Sequence, residues 1–343
     1  MNIDAHLRDR YWHLLCHASE LPQSGDFLKL RWLDQDVVVA SDQGNLLVFD
    51  NVCPHRGAKF FVDEFGNKPI SCRYHGWTYQ ANELFIPGRE KFEEKEVGRL
   101  SLSTLKVDWC GDFLFASSSP AQGLDIQLGD LYQQVASISM DIHGRHDWNA
   151  YTYECDWKIA VENALDFLHV PFVHNQSLNR LCLSEPMKTF SGVNSIARFK
   201  IRDDSAYKRL KMTARLFSGT ERFEGYLSVY LFPFTMFTST FGLSYSLQHF
   251  FPSEFQHKTN FYSRLLRGTL RPGLRSDALN QFFDSTTLVN RTVFEEDNAI
   301  CREIDFKRYS FNELNRLSSE DDQIVHFRKN MQMVATEATS KFQ

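Results

Sequence analysis

Two short stretches constrain this chain more than any other feature. Cys53-Pro54-His55-Arg56-Gly57 is followed by Cys72-Arg73-Tyr74-His75-Gly76-Trp77, with sixteen residues between His55 and Cys72. C-x-H and C-x-x-H on paired loops present two thiolates and two imidazoles, which is a metal site. One zinc ion takes two Cys and two His tetrahedrally. A [2Fe–2S] cluster takes two Cys on one iron and two His on the other. Spacing alone does not choose between them.

The flanking residues do. C-P-H-R-G and C-x-Y-H-G-W closely resemble the two cluster loops of Rieske oxygenases. The glycines allow close backbone approach, and amide N–H groups aimed at the sulfurs would raise a cluster's potential. Trp77 can cover one side. Mitochondrial-type Rieske proteins carry a further Cys in each loop, and neither loop has one here. The resemblance therefore implies a Rieske [2Fe–2S] cluster of the oxygenase branch, held by Cys53, His55, Cys72 and His75.

A second pattern, Asp166-x2-His169-x4-His174, begins about 90 residues after the second loop. Asp166 and His169, three apart, would share a helix face. His169 and His174, five apart, would diverge by about 140° on a straight helix. Pro171 forbids a regular helix there, and a break at Pro171 would bring both rings to one point. With Trp157-Lys158-x3-Glu162-Asn163 before it, the segment resembles that of Rieske non-heme iron oxygenase large subunits. The resemblance implies that His169 and His174 bind a mononuclear Fe(II). It makes Asp166 the acid linking that iron to the Rieske site of a neighbouring subunit, with direct ligation by Asp166 as the alternative. Later, Phe294-Glu295-Glu296-Asp297-Asn298-Ala299-Ile300 matches the family's late-helix F-x-E-D pattern. That match gives Asp297 as third ligand, with Glu296 as the neighbouring candidate among three consecutive acids.

The rest of the chain suits that resemblance. A length of 343 residues allows two or three domains. Ser117 to Gly123 is the strongest linker signal, dividing a Rieske domain with its lead-in (1–120) from an iron domain (124–343). Short alternating runs before it predict antiparallel strands at Phe27–Leu33, Asp36–Ala40 and Leu46–Asp50. Closing strands are predicted at Leu102–Val107 and Phe113–Ala116, and a turn at Asp63–Pro69. After it, a helix is predicted from Leu124 to about Ser139 and a strand at Tyr151–Trp157. An antiparallel sheet follows from Lys188 to about Arg267, including Leu210–Phe217, with Pro233 at an edge or bulge. Helices are predicted from Ser276 to about Asp305 and from Ser318 to about Ala335, the latter capped by Ser318 or Ser319. His13, His17, His249 and His257 lack ligand spacing and are expected to be structural. The expected class is α+β: a small antiparallel β Rieske domain, then a twisted antiparallel sheet gripped by helices.

The resemblance implies a mono- or dioxygenase that uses O2 to hydroxylate, dihydroxylate or oxidatively demethylate a small apolar or aromatic molecule. NAD(P)H-derived electrons would arrive through a separate reductase, with or without a ferredoxin, because the chain has no G-x-G-x-x-G fingerprint or flavin motif. It further implies a head-to-tail homotrimer. Two other classes stay open at this stage: a Rieske electron carrier or redox sensor without oxygenase turnover, and a zinc-stabilised binding module. A net charge of −5 gives no reason to expect nucleic acid. No apolar run approaches the ~18 residues of a membrane span. The first residues lack a basic-then-apolar leader, and the seven cysteines show no disulfide framework. The expected location is the cytoplasm.

Overall fold

The computed structural model describes residues 3–175, 177–218, 222–305, 311 and 316–340. Helix α1 (Ile3–Arg10) leads into β1 (His13–His17). The alternating runs form a meander of β2 (Asp26–Trp32), β3 (Gln35–Asp42) and β4 (Asn45–Asp50). β3 is buried on both faces, which is why Val37-Val38-Val39-Ala40 is continuously apolar. Val38 and Ala40 face the cluster loops with Phe27 and Phe49, while Val37 and Val39 join the core shared with the second half.

The predicted turn at Asp63–Pro69 instead contains β5 (Phe65–Asn67), which pairs with β2 and completes the order β4-β3-β2-β5. Gly66 makes this possible because the Phe27 ring occupies the space where its side chain would stand. β6 (Ile70–Ser71), β7 (Thr78–Gln80) and β8 (Glu83–Phe85) form a second small sheet. The first candidate metal-binding stretch follows β4, and the second connects β6 to β7. The charged run from Arg89 to Glu96, which includes the start of α2 (Glu94–Val97), keeps its charges exposed. The closing strand expected at Leu102 starts only at Lys106, because Ser103 and Leu105 first bond to the β4 backbone. β9 (Lys106–Cys110) and β10 (Phe113–Ser117) then join β1 in the order β1-β10-β9.

The helix expected over Leu124–Ser139 is two helices, α3 (Leu124–Leu128) and α4 (Tyr132–Ser139). Gly129 breaks it at φ +54, in a space closed to any larger side chain by Ser191. β11 (Ile142–Tyr153) precedes α5 (Trp157–Leu165), so Trp157 opens a helix, where a strand had been predicted to end. After α6 (Val170–Val173), β12 (Leu183–Ser191) and β13 (Asn194–Ile201) comes α7 (Asp204–Phe217). Leu210–Phe217 is thus helical, not a strand. Its apparent alternation is accidental: Met212 and Leu216 are exposed, while Ala206, Leu210, Ala214 and Phe217 follow a helical face. The Asp203 carboxylate caps that helix by accepting from the Ala206 amide at 2.6 Å.

β14 (Tyr226–Leu231), β15 (Thr235–Thr240), β16 (Ser244–Pro252) and β17 (Thr259–Gly268) complete a seven-stranded antiparallel sheet, β11-β17-β16-β15-β14-β13-β12. Pro233 lies in the β14–β15 connection in mid-sheet, so it marks neither an edge nor a bulge. The long helix α8 (Ser276–Cys301) matches its prediction. α9 (Asp322–Ser340) starts later than predicted, because Ser318 pairs its amide with Asp321 in a preceding turn. His13, His17 and His249 are buried, each ring bonded to a backbone carbonyl, as expected for structural histidines.

β1 lies against the second half. Gln127 of α3 exchanges two 2.8 Å hydrogen bonds with the Trp12 backbone. His249 and Arg264 each donate at 2.7 Å to the carbonyls of Leu14 and Leu15. Trp12, Leu14, Phe113 and Phe115 share one hydrophobic cluster with Leu131, Phe237 and Tyr245.

Candidate metal centres

The two cysteine loops have the same backbone closure. In the first, the Cys53 amide donates to the Ala58 carbonyl at 2.8 Å and the Gly57 amide to the Cys53 carbonyl at 2.9 Å. In the second, Cys72 donates to Trp77 at 2.8 Å and Gly76 to Cys72 at 2.9 Å. Each loop needs a left-handed residue at its fifth position, and Gly57 (φ +76) and Gly76 (φ +70) supply it. This repeated geometry buries both thiols within hydrogen-bonding reach of each other. Burial pushes the Cys53 thiol up, while the amides of His55 and Arg56 pull against that by pointing at its sulfur. His55 lies 4.6 Å from the His75 ring and stacks on Trp77 at 4.5 Å, so Trp77 does cover one side. His55 is shifted down by burial first, then by the neighbouring His75 and Arg56. Its Nδ1 is buried and has no hydrogen-bond partner. An orphaned ring nitrogen beside two adjoining thiols and a second imidazole fits a group that takes two sulfurs and two nitrogens.

The second site assembles from distant parts of the chain. α5 is capped by Asp156, which accepts from the Lys158 amide at 2.9 Å, and ends at Leu165. Asp166 is already extended (φ −82, ψ 120), so it does not share a helix face with His169. The break therefore lies at Asp166–His169. Pro171 sits within the first turn of α6, where its missing N–H costs nothing. The two turns face His169 Nε2 and His174 Nε2 toward each other at 3.0 Å. α8 brings in Asp297, whose Oδ1 is 3.4 Å from His169 Nε2 and 3.1 Å from His174 Nε2. These three atoms lie within 4.8 Å of one another, an arrangement able to hold one metal ion.

Neighbouring side chains fix two of the three by hydrogen bonds. Asn163 donates to Asp297 Oδ1 at 2.7 Å. His174 Nδ1 donates to Glu296 at 2.8 Å, and Glu296 also accepts from Ser177 at 2.6 Å. Glu296 thus stands behind His174 and outside the triad, while Glu295 is exposed. Successive helical residues point about 100° apart, so two adjacent acids meet opposite edges of one imidazole. Glu162 pairs with Arg328 of α9 through two hydrogen bonds of 2.6 and 2.7 Å, anchoring α5. The Glu162-Asn163 pair in the sequence was the available signal for these supports; nothing marked Ser177.

Burial works to keep His169 neutral, but the Asp166 and Asp297 carboxylates outweigh it and raise the ring to about 9. His174 is raised against burial by Asp297 and Glu296. Asp297 is held down, against burial, by the two imidazoles. Asp166 is not part of the triad. It accepts from the Leu168 amide at 2.7 Å and sits 3.7 Å from His169 Nδ1, on the ring edge away from Asp297. That distance is an ion pair, too long for a hydrogen bond.

The triad opens on a narrow cavity walled by Tyr226, Thr238, Gln248, Val293 and Phe294. A larger cavity of about 320 Å³ shares those walls and continues between the sheet and α8. A further cavity of about 880 Å³ lies beside α1 and the β16–β17 turn and touches neither candidate metal centre.

Both candidate centres lie within stretches that match known families. Residues 11–86 match the Rieske [2Fe-2S] domain. Residues 135–335, more than half of the chain, match the ring hydroxylating alpha subunit (catalytic domain). The chain is 29% identical over 174 residues to the glycine betaine monooxygenase oxygenase subunit of Chromohalobacter salexigens, covering 50% of this chain and 39% of that one. It is 29% identical over 182 residues to the anthranilate 1,2-dioxygenase large subunit of Acinetobacter baylyi, covering 48% and 38%. The chain thus spans about two fifths of the length of these curated relatives. In fold it resembles the quaternary ammonium Rieske monooxygenase CntA in complex with L-carnitine. The TM-score is 0.73 at 18% identity, over 96% of this chain and 90% of that one.

Proposed function

The chain belongs to the family of ring-hydroxylating alpha subunits, and we propose that it is the oxygenase component of a multicomponent Rieske system. It uses O2 and reductase-delivered electrons to oxidise a small organic molecule. The observation that carries this reading is the convergence of His169, His174 and Asp297 on one point at the inner end of a chamber. Two imidazoles and one carboxylate leave the opposite side of a bound iron open. When bound, the iron supplies O2 chemistry and the [2Fe–2S] cluster supplies single electrons.

The chain's own residues do the positioning. Glu296 holds the proton on His174 Nδ1, which keeps the Nε2 lone pair pointed inward. Asn163 fixes the Asp297 carboxylate. Val293 and Phe294 exclude water from one side. Cys53, His55, Cys72 and His75 hold the cluster, within residues 1–120, and residues 124–343 form the iron domain. Asp166 links the iron site to the cluster of a neighbouring copy in a head-to-tail trimer. In support, the Asp166 side chain is 30% exposed and Phe172, six residues further on, is 84% exposed, while His75 and Tyr74 are open at the cluster loops. No helix among the described residues is long and apolar enough to cross a membrane. We place the protein in the cytoplasm with a separate reductase.

The deciding measurement is iron and acid-labile sulfide per chain on freshly purified protein, with its visible spectrum. Three irons and about two sulfides with a red-brown colour are expected. Zinc without sulfide would overturn the reading at both centres.

A further inference from the structure

The sheet face beneath α8 is poorly suited to a hydrocarbon. Ser228, Thr238 and Ser246 sit side by side on three neighbouring strands, with Gln248 one step further along β16. All four line the cavities beside the triad. Ser228 is fully buried, and its hydroxyl has no hydrogen-bond partner. Burying that hydroxyl is costly when it faces only apolar groups; beside it Thr238 is half-buried and Ser246 accepts from Gln248 at 3.5 Å. The opposite wall, α8, sets Val289, Val293 and Phe294 beside Ser285, Thr286 and Asn290, so its apolar part is the end nearer the triad.

Charge adds a direction. Arg180 and Arg209 line the larger cavity, and no Asp or Glu does so among the described residues. Neither arginine lines the cavity at the triad. Neither guanidinium forms an ion pair among the described residues; Arg209 acts on the nearby Asp203 only through space. The chamber therefore has a metal-binding end flanked by Val293 and Phe294, a polar sheet wall, a mixed helix wall and a positive outer end.

We propose, building on the oxygenase reading, that the substrate is an amphipathic carboxylate. Its acid group meets Arg180 and Arg209, its hydrogen-bonding edge lies on Thr238, Ser246 and Gln248, and its carbon face lies on Val289, Val293 and Phe294. The carbon to be oxidised is at the end remote from the carboxylate. This narrows the small apolar or aromatic molecule expected from family resemblance to one that also carries a carboxylate. Guanidinium–carboxylate pairing is the strongest recognition this wall offers.

The test is calorimetric titration of the purified holoprotein with matched probes: phenylacetate, phenylacetamide and phenyltrimethylammonium, and hexanoate with hexanamide. 4-Hydroxyphenylacetate probes the hydroxyl row. Carboxylates are expected to bind at least about tenfold tighter than their amides. The Arg180→Gln/Arg209→Gln double variant should abolish that difference while keeping iron, sulfide and amide binding. Thr238→Val should weaken the hydroxylated acid more than phenylacetate. Equal or better binding of amide or ammonium probes, no carboxylate binding at all, or retained preference in the double variant would each overturn the proposal. The arginines stand outside the triad cavity, so the preference should survive removal of the mononuclear iron. A protein that prefers carboxylates but never carries that iron would sink the oxygenase reading and leave this one standing.

Discussion

The two metal-binding regions are built on opposite plans. The cysteine loops are local: all four candidate ligands fall between Cys53 and His75, and each loop is closed by its own backbone hydrogen bonds. The triad is global. Asp297 reaches the two histidines from α8, and its geometry depends on Asn163, Glu296, Ser177 and the buried Glu162–Arg328 pair. A local site is set once its turns form. A global site is set only when α5, α8 and α9 are all docked, so it is more sensitive to distant changes.

The largest expected effect breaks the regions apart. His169→Ala should lose the mononuclear iron and keep the cluster spectrum, whereas Cys72→Ser should lose the cluster colour and sulfide. If either change stripped both metals, the two regions would not be independent. Next is Asp166→Asn, which should keep both metals but lower turnover by about two orders of magnitude or more, a drop of roughly 3 kcal/mol in transition-state stabilisation. Near-normal steady-state rates would remove Asp166 from the route between copies. Glu162→Ala takes two charge-assisted hydrogen bonds from the buried Arg328 guanidinium, a loss on the order of 3–5 kcal/mol. Thermal unfolding should show it as a lower midpoint, with mononuclear iron lost before cluster colour. Glu296→Gln should weaken Fe(II) binding by about 10- to 100-fold, measured by chelator competition, without touching the cluster.

The smallest effect concerns pH. Without iron, His169 is raised to about 9 from 6.5, so its ion pairs contribute stability in full below about pH 6.5. That contribution is lost as pH rises through about 9. Iron uptake must expel the same proton, so apparent Fe(II) affinity should rise with pH toward 9. His55 is shifted the other way and carries no such competition. A pH-independent Fe(II) titration would contradict this contrast.

The same local-versus-global division explains what the sequence revealed. The cysteine loops were legible because their ligands, glycines and Trp77 lie within one continuous stretch. His169 and His174 were legible as a spacing, but the break was assigned to Pro171, since nothing local announced that α5 would stop at Leu165. Glu296 was visible only as one acid among three, because its role depends on which side of His174 it approaches. Leu210–Phe217 alternates like a strand, yet its cap, Asp203, lies seven residues upstream of Leu210. The hydroxyl row of Ser228, Thr238 and Ser246 was invisible, since cross-strand neighbours are set by register and not by sequence distance.

The seam between β1 and the second half has a consequence for engineering and for descent. β1 and the Trp12 backbone just before it are stitched by Gln127, His249 and Arg264, all from beyond Gly123. A chimera that takes residues 1–120 from one relative and the remainder from another would inherit half of a zipper from each parent. Recombination at the linker is therefore expected to succeed only where both parents supply matching partners for Trp12, Leu14 and Leu15. Lineages of this chain should exchange whole molecules more readily than modules.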